Sequence, residues 1–200
     1  MVRSLRLTRS FFARSAVDVG PDLLGAELRV GPCSVVITEV EAYVESDPAS
    51  HTFRGPTPRN SVMFGPPGRS YVYLCYGMHW CINVVTGQVG AGEAVLLRGG
   101  VATRGEALMR ARRPRATSLR SLSNGPGKLT AALGIDRRHN DLDLLSGAAP
   151  VRLIGTSMNR RVEWSATPRI GISAAQERPW RFVVNDPAAI TGLTSDVPVG

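Results

Sequence analysis

Two glutamates, two positions apart, are the residues of this sequence best placed to do chemistry. Glu39 and Glu41 lie in Cys33–Tyr43, whose many β-branched residues predict a β-strand. Alternate side chains of a strand share a face, so the two carboxylates and Tyr43 would lie together, with the glutamate Cα atoms about 6.5–7 Å apart. Such a pair can supply general acid and base groups for cleaving a glycosidic bond. The alternative is a solvent-exposed strand face, which spacing alone favours.

A tyrosine-rich stretch, Tyr71–Asn83, offers a second cluster of reactive and aromatic side chains. It contains three of the four tyrosines and two of the three cysteines. Its β-forming residues are interrupted at Gly77, which predicts two strands joined by a tight turn. Tyr76 would lie beside that turn, either as a buried plug or as a side chain aimed at a partner. Packing statistics favour the plug.

The segment between these two strand regions lacks a regular pattern. Residues 44–70 form a predicted loop of about 27 residues that contains His51 and Arg59. Loops of this length within a compact domain are usually functional or disordered, and the varied composition favours function. Asn83 and Arg98 each follow an apolar run, so we interpret them as strand ends. Such polar ends are usually exposed, but these two could also face one pocket.

The formal charge of +8 is carried almost entirely by arginine, with 23 arginines and a single lysine, Lys128. Residues 104–128 contain seven basic residues and one acidic residue. Arginine is suited to phosphate, so nucleic acid is the partner that the charge favours, against the alternative of arginine-rich codon usage. Gly125–Lys128 resembles a phosphate loop, but Leu122 and Leu129 replace its required glycine and hydroxyl residues. A helix beginning there could still receive a phosphate.

The remaining pattern predicts a single domain, residues 1–200, without repeats or linkers. The odd number of cysteines predicts a cytoplasmic protein, and the lack of an 18-residue apolar run predicts no membrane contact. The spacing of the cysteines and histidines predicts no metal site, and no cofactor is expected. Helices are predicted from Ser15 to Leu24, from Thr103 to Arg112 and from Lys128 to Leu133. Further strands are predicted at Ala94–Arg98, Val151–Ile154, Val162–Trp164, Arg169–Ile172 and Arg181–Val184.

Several blocks, in the same order along the chain, together resemble the alkyladenine (3-methylpurine) DNA glycosylase family. These blocks are Thr38–Tyr43, Ser50–His51, Thr57–Asn60, Tyr71–Met78, Asn83, Val95–Arg98, Gly125–Leu129, Arg169–Ile172 and Pro179–Phe182. The resemblance implies an α+β fold: a single mixed domain with a curved, mainly antiparallel sheet and flanking helices. It also implies a monofunctional, cofactor-free enzyme, expected to be a monomer associated with the nucleoid. Its partner would be double-stranded DNA, from which it excises alkylated or deaminated purines and leaves abasic sites.

The resemblance also implies roles for the residues of a base pocket. Glu41 corresponds to the general base that activates water, and Arg98 to a supporting residue near that water. Tyr43 and His51 correspond to residues that hold the extruded base, and Tyr73 to the opposite wall. Asn83 corresponds to a steric filter against the amino group of normal guanine.

Other positions are implied to contact the DNA duplex. Tyr76 corresponds to the wedge that enters the minor groove, which reverses the preference for a buried plug, and Met78 accompanies it at the hairpin tip. Arg59 and Lys128 are expected to contact the DNA backbone. The candidate lesions are 3-methyladenine, 7-methylguanine, hypoxanthine and ethenoadenine. Two rival hypotheses are a non-catalytic nucleic-acid-binding module and an enzyme acting on a small purine nucleoside.

Overall fold

An antiparallel sheet of eight strands organises the protein, with four α-helices packed around it in the part of the chain that is described. The computed structural model describes residues 7–157, 162–188 and 190. The strands are β1 (Glu27–Val30), β2 (Cys33–Tyr43), β3 (Ser70–Cys75), β4 (His79–Thr86), β5 (Glu93–Arg104), β6 (Val151–Ile154), β7 (Trp164–Thr167) and β8 (Arg181–Val184). The helices are α1 (Arg9–Phe12), α2 (Ala16–Asp22), α3 (Glu106–Arg112) and α4 (Pro126–Leu133). The predicted α+β class with a mainly antiparallel sheet is confirmed.

Strand β2 is the central element of the sheet. The order is β3-β4-β5-β2-β1-β6, and β8 pairs with both β2 and β7. One edge of β2 pairs with β5, while the other is shared by β1, opposite Cys33–Val36, and β8, opposite Glu39–Glu41. Register shifts on either side of Glu39 interrupt the pairing with β5, and such bulges bend and twist a strand. The end of β2 that carries the glutamates is thereby enclosed by strands on both sides.

The hydrophobic core lies between the sheet and the helices. Its largest fully buried side chains include Phe12, Leu24, Ile37, Leu97 and Leu129. Burying one such side chain stabilises the folded state by about 1.5–3 kcal/mol. Because this core includes residues from both β2 and β5, the two strands that hold Glu41 and Arg98 have rigid support.

Strand β5 continues beyond the end that the sequence predicted. The predicted strand ended at Arg98, which closes the apolar run and is followed by Gly99 and Gly100. Both glycines lie inside β5. A Cβ atom at Gly100 would lie 2.7 Å from the carbonyl oxygen of Val36, so glycine permits a close approach between β5 and β2. Asn83 likewise lies within β4, so the interpretation of these two residues as strand ends is wrong.

Other predicted elements differ from the structure in smaller ways. The hairpin of β3 and β4 and the strands β6 and β8 are confirmed. Helix α3 begins at Glu106 rather than Thr103, because β5 extends to Arg104. The predicted strand Arg169–Ile172 is wrong: this segment has no strand assignment, and the amide of Ile170 donates to a side chain instead of to a neighbouring strand. The single-domain prediction covers residues outside the described ranges and stays a prediction.

Residues 44–70 are largely irregular, as predicted, with a short 3-10 helix at Ser61–Phe64. Their ends are anchored by β2 and β3, so this loop lies next to the glutamate end of β2. Among the helices of the described residues, none has the length and apolar character needed to span a membrane.

Candidate active site

Glu41 is a completely buried carboxylate held by three hydrogen-bond donors. Its Oε1 accepts from the backbone amide of Ile170 at 2.8 Å. Its Oε2 accepts from the Tyr43 hydroxyl at 2.9 Å and from Nη1 of Arg98 at 3.2 Å. The exposed-face alternative is therefore wrong for Glu41, because its side chain has no solvent exposure. Donors from β2, β5 and the chain after β7 fix this carboxylate in one orientation.

Glu39 lies nearby but has a different environment. Its Oε1 accepts from Nε of Arg98 at 2.8 Å and from Nε of Arg181 at 2.7 Å. Burial acts to raise the pKa of Glu39, but the hydrogen bonds and charges of Arg181 and Arg98 outweigh it, so the net pKa is lowered. Burial also acts to lower the pKa of Arg98, and its two carboxylate neighbours outweigh that effect and raise it. Arg98 therefore stays a cation that bridges the two glutamates.

A cavity of about 440 Å³ lies beside this carboxylate cluster. Its lining includes Tyr43, Arg98 and Ile170, all three of which donate to Glu41. The other lining residues that bear on function are Ser50, His51, Arg59, Met63, Tyr71, Tyr73, Cys75, Tyr76, Cys81, Asn83, Leu96, Pro126, Gly171 and Ile172. All the residues predicted to form the base pocket thus meet at a single cavity. Its volume lies in the range typical of small-ligand sites.

Three ring side chains, which we call the aromatic wall, form one side of the cavity: His51, Tyr71 and Tyr73. The rings of Tyr71 and Tyr73 stack with centroids 5.4 Å apart, and His51 meets Tyr73 edge-on at 4.5 Å. His51 and Tyr73 therefore lie on the same side, whereas the resemblance implied that Tyr73 forms a wall opposite the base-holding residues. Nδ1 of His51 and the Tyr71 hydroxyl are 2.9 Å apart. This bond fixes the orientation of the imidazole.

The aromatic wall is uncharged near neutral pH, because the pKa values of its rings are shifted away from neutrality. Burial, and then the nearby Arg59 cation, lowers the pKa of His51. Burial raises the pKa of Tyr71 to about 12 and raises that of Tyr73 further. Elsewhere in the cavity lining, burial and the Glu41 carboxylate raise the pKa of Tyr43. The cavity thus presents neutral rings.

Asn83 is fixed by a hydrogen bond across the hairpin. Its side-chain amide donates to the carbonyl oxygen of Tyr71 at 2.9 Å, and the residue is buried. Asn83 pairs with Leu96 of β5, so its position in the cavity is set by two neighbouring strands. A rigid amide of this kind can exclude a substrate group that would collide with it.

The hairpin tip, residues 76–78, projects from the rim of the same cavity. The Tyr76 side chain is 81% exposed and that of Met78 is 71% exposed, so the buried-plug alternative is wrong. Tyr76 and Gly77 have positive φ angles of 49° and 68°, and the Met78 amide donates to the Cys75 carbonyl at 3.1 Å. These features are those of a type I′ turn, which favours Asn or Gly at both central positions. Holding tyrosine there costs about 1–2 kcal/mol.

The predicted cationic contacts lie on the same side of the protein. Arg59 is exposed at the cavity rim, where its guanidinium lies 5.7 Å from the Tyr73 ring centroid and donates to the Leu74 carbonyl. Lys128 is exposed in the first turn of α4 and donates to Asn124 at 3.0 Å. The first turn of α4 touches the hairpin, because a Cβ atom at Gly127 would lie 2.8 Å from the Cβ of His79.

The basic segment 104–128 is not wholly a free surface. Arg112 donates to the Ala132 carbonyl near the C-terminal end of α4, and Arg110 pairs with Glu106 within α3. Arg115 and Arg120 are exposed. The net charge of this segment therefore overstates the number of cations available to a partner.

Sequence reasoning assigned no role to three residues that organise the site: Asp47, Arg169 and Ile170. Arg169–Ile172 was among the blocks that carry the resemblance, yet the segment was interpreted as a strand. Asp47 lies in the irregular loop and gave no signal. Their functions depend on contacts between segments more than 120 positions apart, which no local pattern reveals.

Comparisons with known proteins identify the family to which this chain belongs. Residues 10–188 match the family model described as methylpurine-DNA glycosylase (MPG). A protein of Rhodopseudomonas palustris strain BisB18, named "Putative 3-methyladenine DNA glycosylase", is 54% identical over 177 residues, covering 88% of this chain and 86% of that relative. A protein of the same name from strain ATCC BAA-98 / CGA009 is 51% identical over 183 residues, covering 90% and 85%. The chain therefore belongs to the methylpurine-DNA glycosylase family, and it is a DNA glycosylase that hydrolyses the N-glycosyl bonds of methylated purines.

Proposed function

We propose that Glu41 activates a water molecule, which hydrolyses the N-glycosidic bond of a damaged purine rotated out of the DNA duplex. The observation that carries this proposal is the buried Glu41 carboxylate, fixed by donors that line the cavity. A carboxylate has about four acceptor sites, and Ile170, Tyr43 and Arg98 occupy three of them. The fourth site can accept a proton from water. Water oxygen would then bond to C1′ as the bond to the purine breaks.

The leaving group determines how much further help the reaction needs. An alkylated purine such as 3-methyladenine carries a positive charge, so it takes the electron pair of the broken bond and leaves as a neutral base. Hypoxanthine would leave as an anion unless it gained a proton. We therefore propose alkylated purines as the main substrates and deaminated purines as slower ones.

We propose that the base binds between Tyr43 and the aromatic wall. Neutral, electron-rich rings attract a cationic base more strongly than a neutral one. The lowered pKa of His51 supports this assignment, because a protonated imidazole would repel a cationic base. Asn83 would then exclude normal guanine through a collision with its exocyclic amino group.

Access to a buried carboxylate requires that the target nucleotide leave the helix. Base extrusion costs a few kcal/mol and is easiest where pairing is already weak. We propose that Tyr76 enters the duplex and occupies the space vacated by the base, with Met78 beside it. Arg59 and Lys128 would contact nearby phosphates and hold the duplex against the hairpin. The exposure and backbone strain of Tyr76 support this role.

The test is excision from duplex oligonucleotides that contain a single lesion. A duplex with one 3-methyladenine or one hypoxanthine is incubated with the protein and then heated in alkali, which cleaves the strand at abasic sites. We expect strand scission only where a lesion is present. Binding without scission would instead favour a nucleic-acid-binding module. Activity confined to free purine nucleosides would favour the small-molecule enzyme.

A further inference from the structure

A buried ion pair lies behind the cavity, outside the residues assigned to the chemistry. The side chains of Arg169 and Asp47 both have no solvent exposure. Nη2 of Arg169 donates to Oδ1 of Asp47 at 3.0 Å, and Nη1 donates to Oδ2, so the two groups form a bidentate fork. A buried pair often adds little net stability compared with apolar packing, so stability alone does not account for this one.

The Arg169 guanidinium is also fixed by rings and backbone carbonyls. It lies 4.7 Å from the ring centroid of Tyr43 and 5.3 Å from that of Trp180. Nη1 also donates to the carbonyl oxygen of Ala42 at 3.1 Å. Ala42 stands between Glu41 and Tyr43 in β2, so the guanidinium bonds to the backbone that carries both side chains.

The pair joins the two loops that border the site. The residue after Arg169 is Ile170, whose amide donates to Glu41 at 2.8 Å. Ile170 also lines the cavity. Asp47 precedes Ser50 and His51, which line the cavity from the other loop. A shift of this pair would therefore move a donor to Glu41 together with part of the cavity wall.

We propose that Arg169 and Asp47 are positioning residues that hold the Ile170 amide on Glu41 and Tyr43 in place for the base. This proposal rests on the proposed role of Glu41 as general base. Misplacement of a reacting group by about 1 Å can lower a rate about 100-fold. The amide is also a hydrogen-bond donor to the Glu41 carboxylate, so its displacement would change the pH–rate profile of excision as well as the rate.

The test compares Arg169→Gln, Asp47→Asn and the double variant in single-turnover excision of 3-methyladenine across pH. Asp47→Asn leaves the buried Arg169 cation without its carboxylate, and Arg169→Gln leaves Asp47 with only the more distant Arg178, 3.7 Å away, whereas the double variant removes both buried charges and keeps polar side chains. We expect the double variant to be the more stable but to excise about 100-fold more slowly than the wild type. We also expect the acid side of its pH–rate profile to move to higher pH. Affinity for undamaged DNA should change less than about twofold, since no phosphate contact is altered.

The ionisable groups that face Glu41 are known from the structure. They are Glu39 and Tyr43 from β2, Arg98 from β5 and Arg181 from β8. The double variant changes none of them, so a shifted acid limb reports on the Ile170 contact. Arg169→Lys, which keeps the charge without the fork, should recover part of the rate and of the shift.

Two controls separate positioning from general destabilisation. Asp143→Asn breaks a partly exposed ion pair with Arg9, neither of which lines the cavity, and should leave rate and pH profile unchanged. The proposal would be overturned by a folded double variant whose excision rate and acid limb of the pH–rate profile match those of the wild type. If the double variant does not fold, the same result in a folded Arg169→Lys variant would overturn it. Failure of the Glu41 assignment would be seen separately, as excision that persists in Glu41→Gln.

Discussion

The glutamate end of β2 and the tip of the β3–β4 hairpin lie at the same cavity but are held in opposite ways. The Glu41 carboxylate is buried and takes three hydrogen bonds from three segments of the chain. The Tyr76 side chain is 81% exposed, on a backbone with a positive φ of 49°. A group that must hold a water for reaction benefits from rigid support. A group that must enter another molecule has to stay outside the core, and the strained backbone at Tyr76 holds its side chain there.

Among the residues that hold Glu41 in place, Arg98 is expected to give the largest effect. Arg98→Met would leave Glu39 and Glu41 without the guanidinium that bridges them. Removing one partner of a buried ion pair costs about 3–5 kcal/mol of unfolding free energy. Because the carboxylate that we propose activates water also loses a donor, we expect excision to fall by about 100-fold or more. Urea unfolding and single-turnover excision measure the two effects, and wild-type values for both would show that the bridge is dispensable.

The opposite behaviour is expected at the hairpin tip. Tyr76→Asn replaces a strained tyrosine with a residue that tolerates the left-handed region, so the unfolding free energy should rise by about 0.5–1 kcal/mol. Affinity for lesion duplex should fall about tenfold, while salt-dependent binding to undamaged DNA stays nearly intact. Tyr76→Phe is the matched control, since it keeps the ring and the strain and should change neither quantity greatly. Equal weakening of lesion and undamaged binding in Tyr76→Asn would contradict a wedge.

Glu39 tests whether the two glutamates of β2 share one task. Glu39→Gln should slow excision less than about tenfold, because Glu39 acts on the site only through Arg98, whereas the Ile170 amide donates to Glu41. The lowered pKa of Glu39 means that its ionised form stabilises the fold above the ordinary glutamate pKa of about 4.3. That stabilisation is lost as pH falls through the folded-state pKa. Urea unfolding can be measured between pH 6 and 3 in steps of about one unit. As the pH falls, the free energy of unfolding should decrease more steeply in the wild type than in Glu39→Gln. Identical slopes of unfolding free energy against pH would rule out this linkage.

The smallest effect is expected at the exposed cations. Lys128→Ala should reduce the slope of log affinity against log salt by about one and weaken binding uniformly across sequences. The ratio of lesion to undamaged affinity should not change, because a phosphate contact carries no information about the base. Fluorescence anisotropy over a salt series measures both quantities. A selective loss of lesion affinity would place Lys128 in recognition instead.

The sequence predicted those parts of the fold that depend on local pattern. The β-branched alternation located β2, and Gly77 located the hairpin turn. The prediction from sequence failed at Gly99 and Gly100, which lie inside β5 where this strand packs closely against β2. It also failed at Ile170, whose amide donates to a side chain instead of to a neighbouring strand. Spacing alone could not separate Glu39 from Glu41, because their difference comes from donors on distant segments.

Most site residues were found through the resemblance, and the structure adds how they are supported. Arg98, Tyr43 and Asn83 line one cavity, and Glu41 accepts hydrogen bonds from the first two; the roles assigned to these residues stay predictions. The buried pair of Arg169 and Asp47 was missed, since 122 positions separate its members and no local pattern links them. Packing statistics misjudged Tyr76 because they describe average tyrosines, whereas its turn conformation holds it outside the core.

The most direct test compares Glu41→Gln with the wild type on one lesion duplex, with affinity and single-turnover excision measured side by side. Glutamine keeps the shape of the side chain but cannot accept a proton from water. We expect lesion affinity within about threefold of the wild type and an excision rate lower by about three orders of magnitude or more. Excision within about tenfold of the wild-type rate, in a variant that binds normally, would contradict the account of Glu41 as the group that activates water.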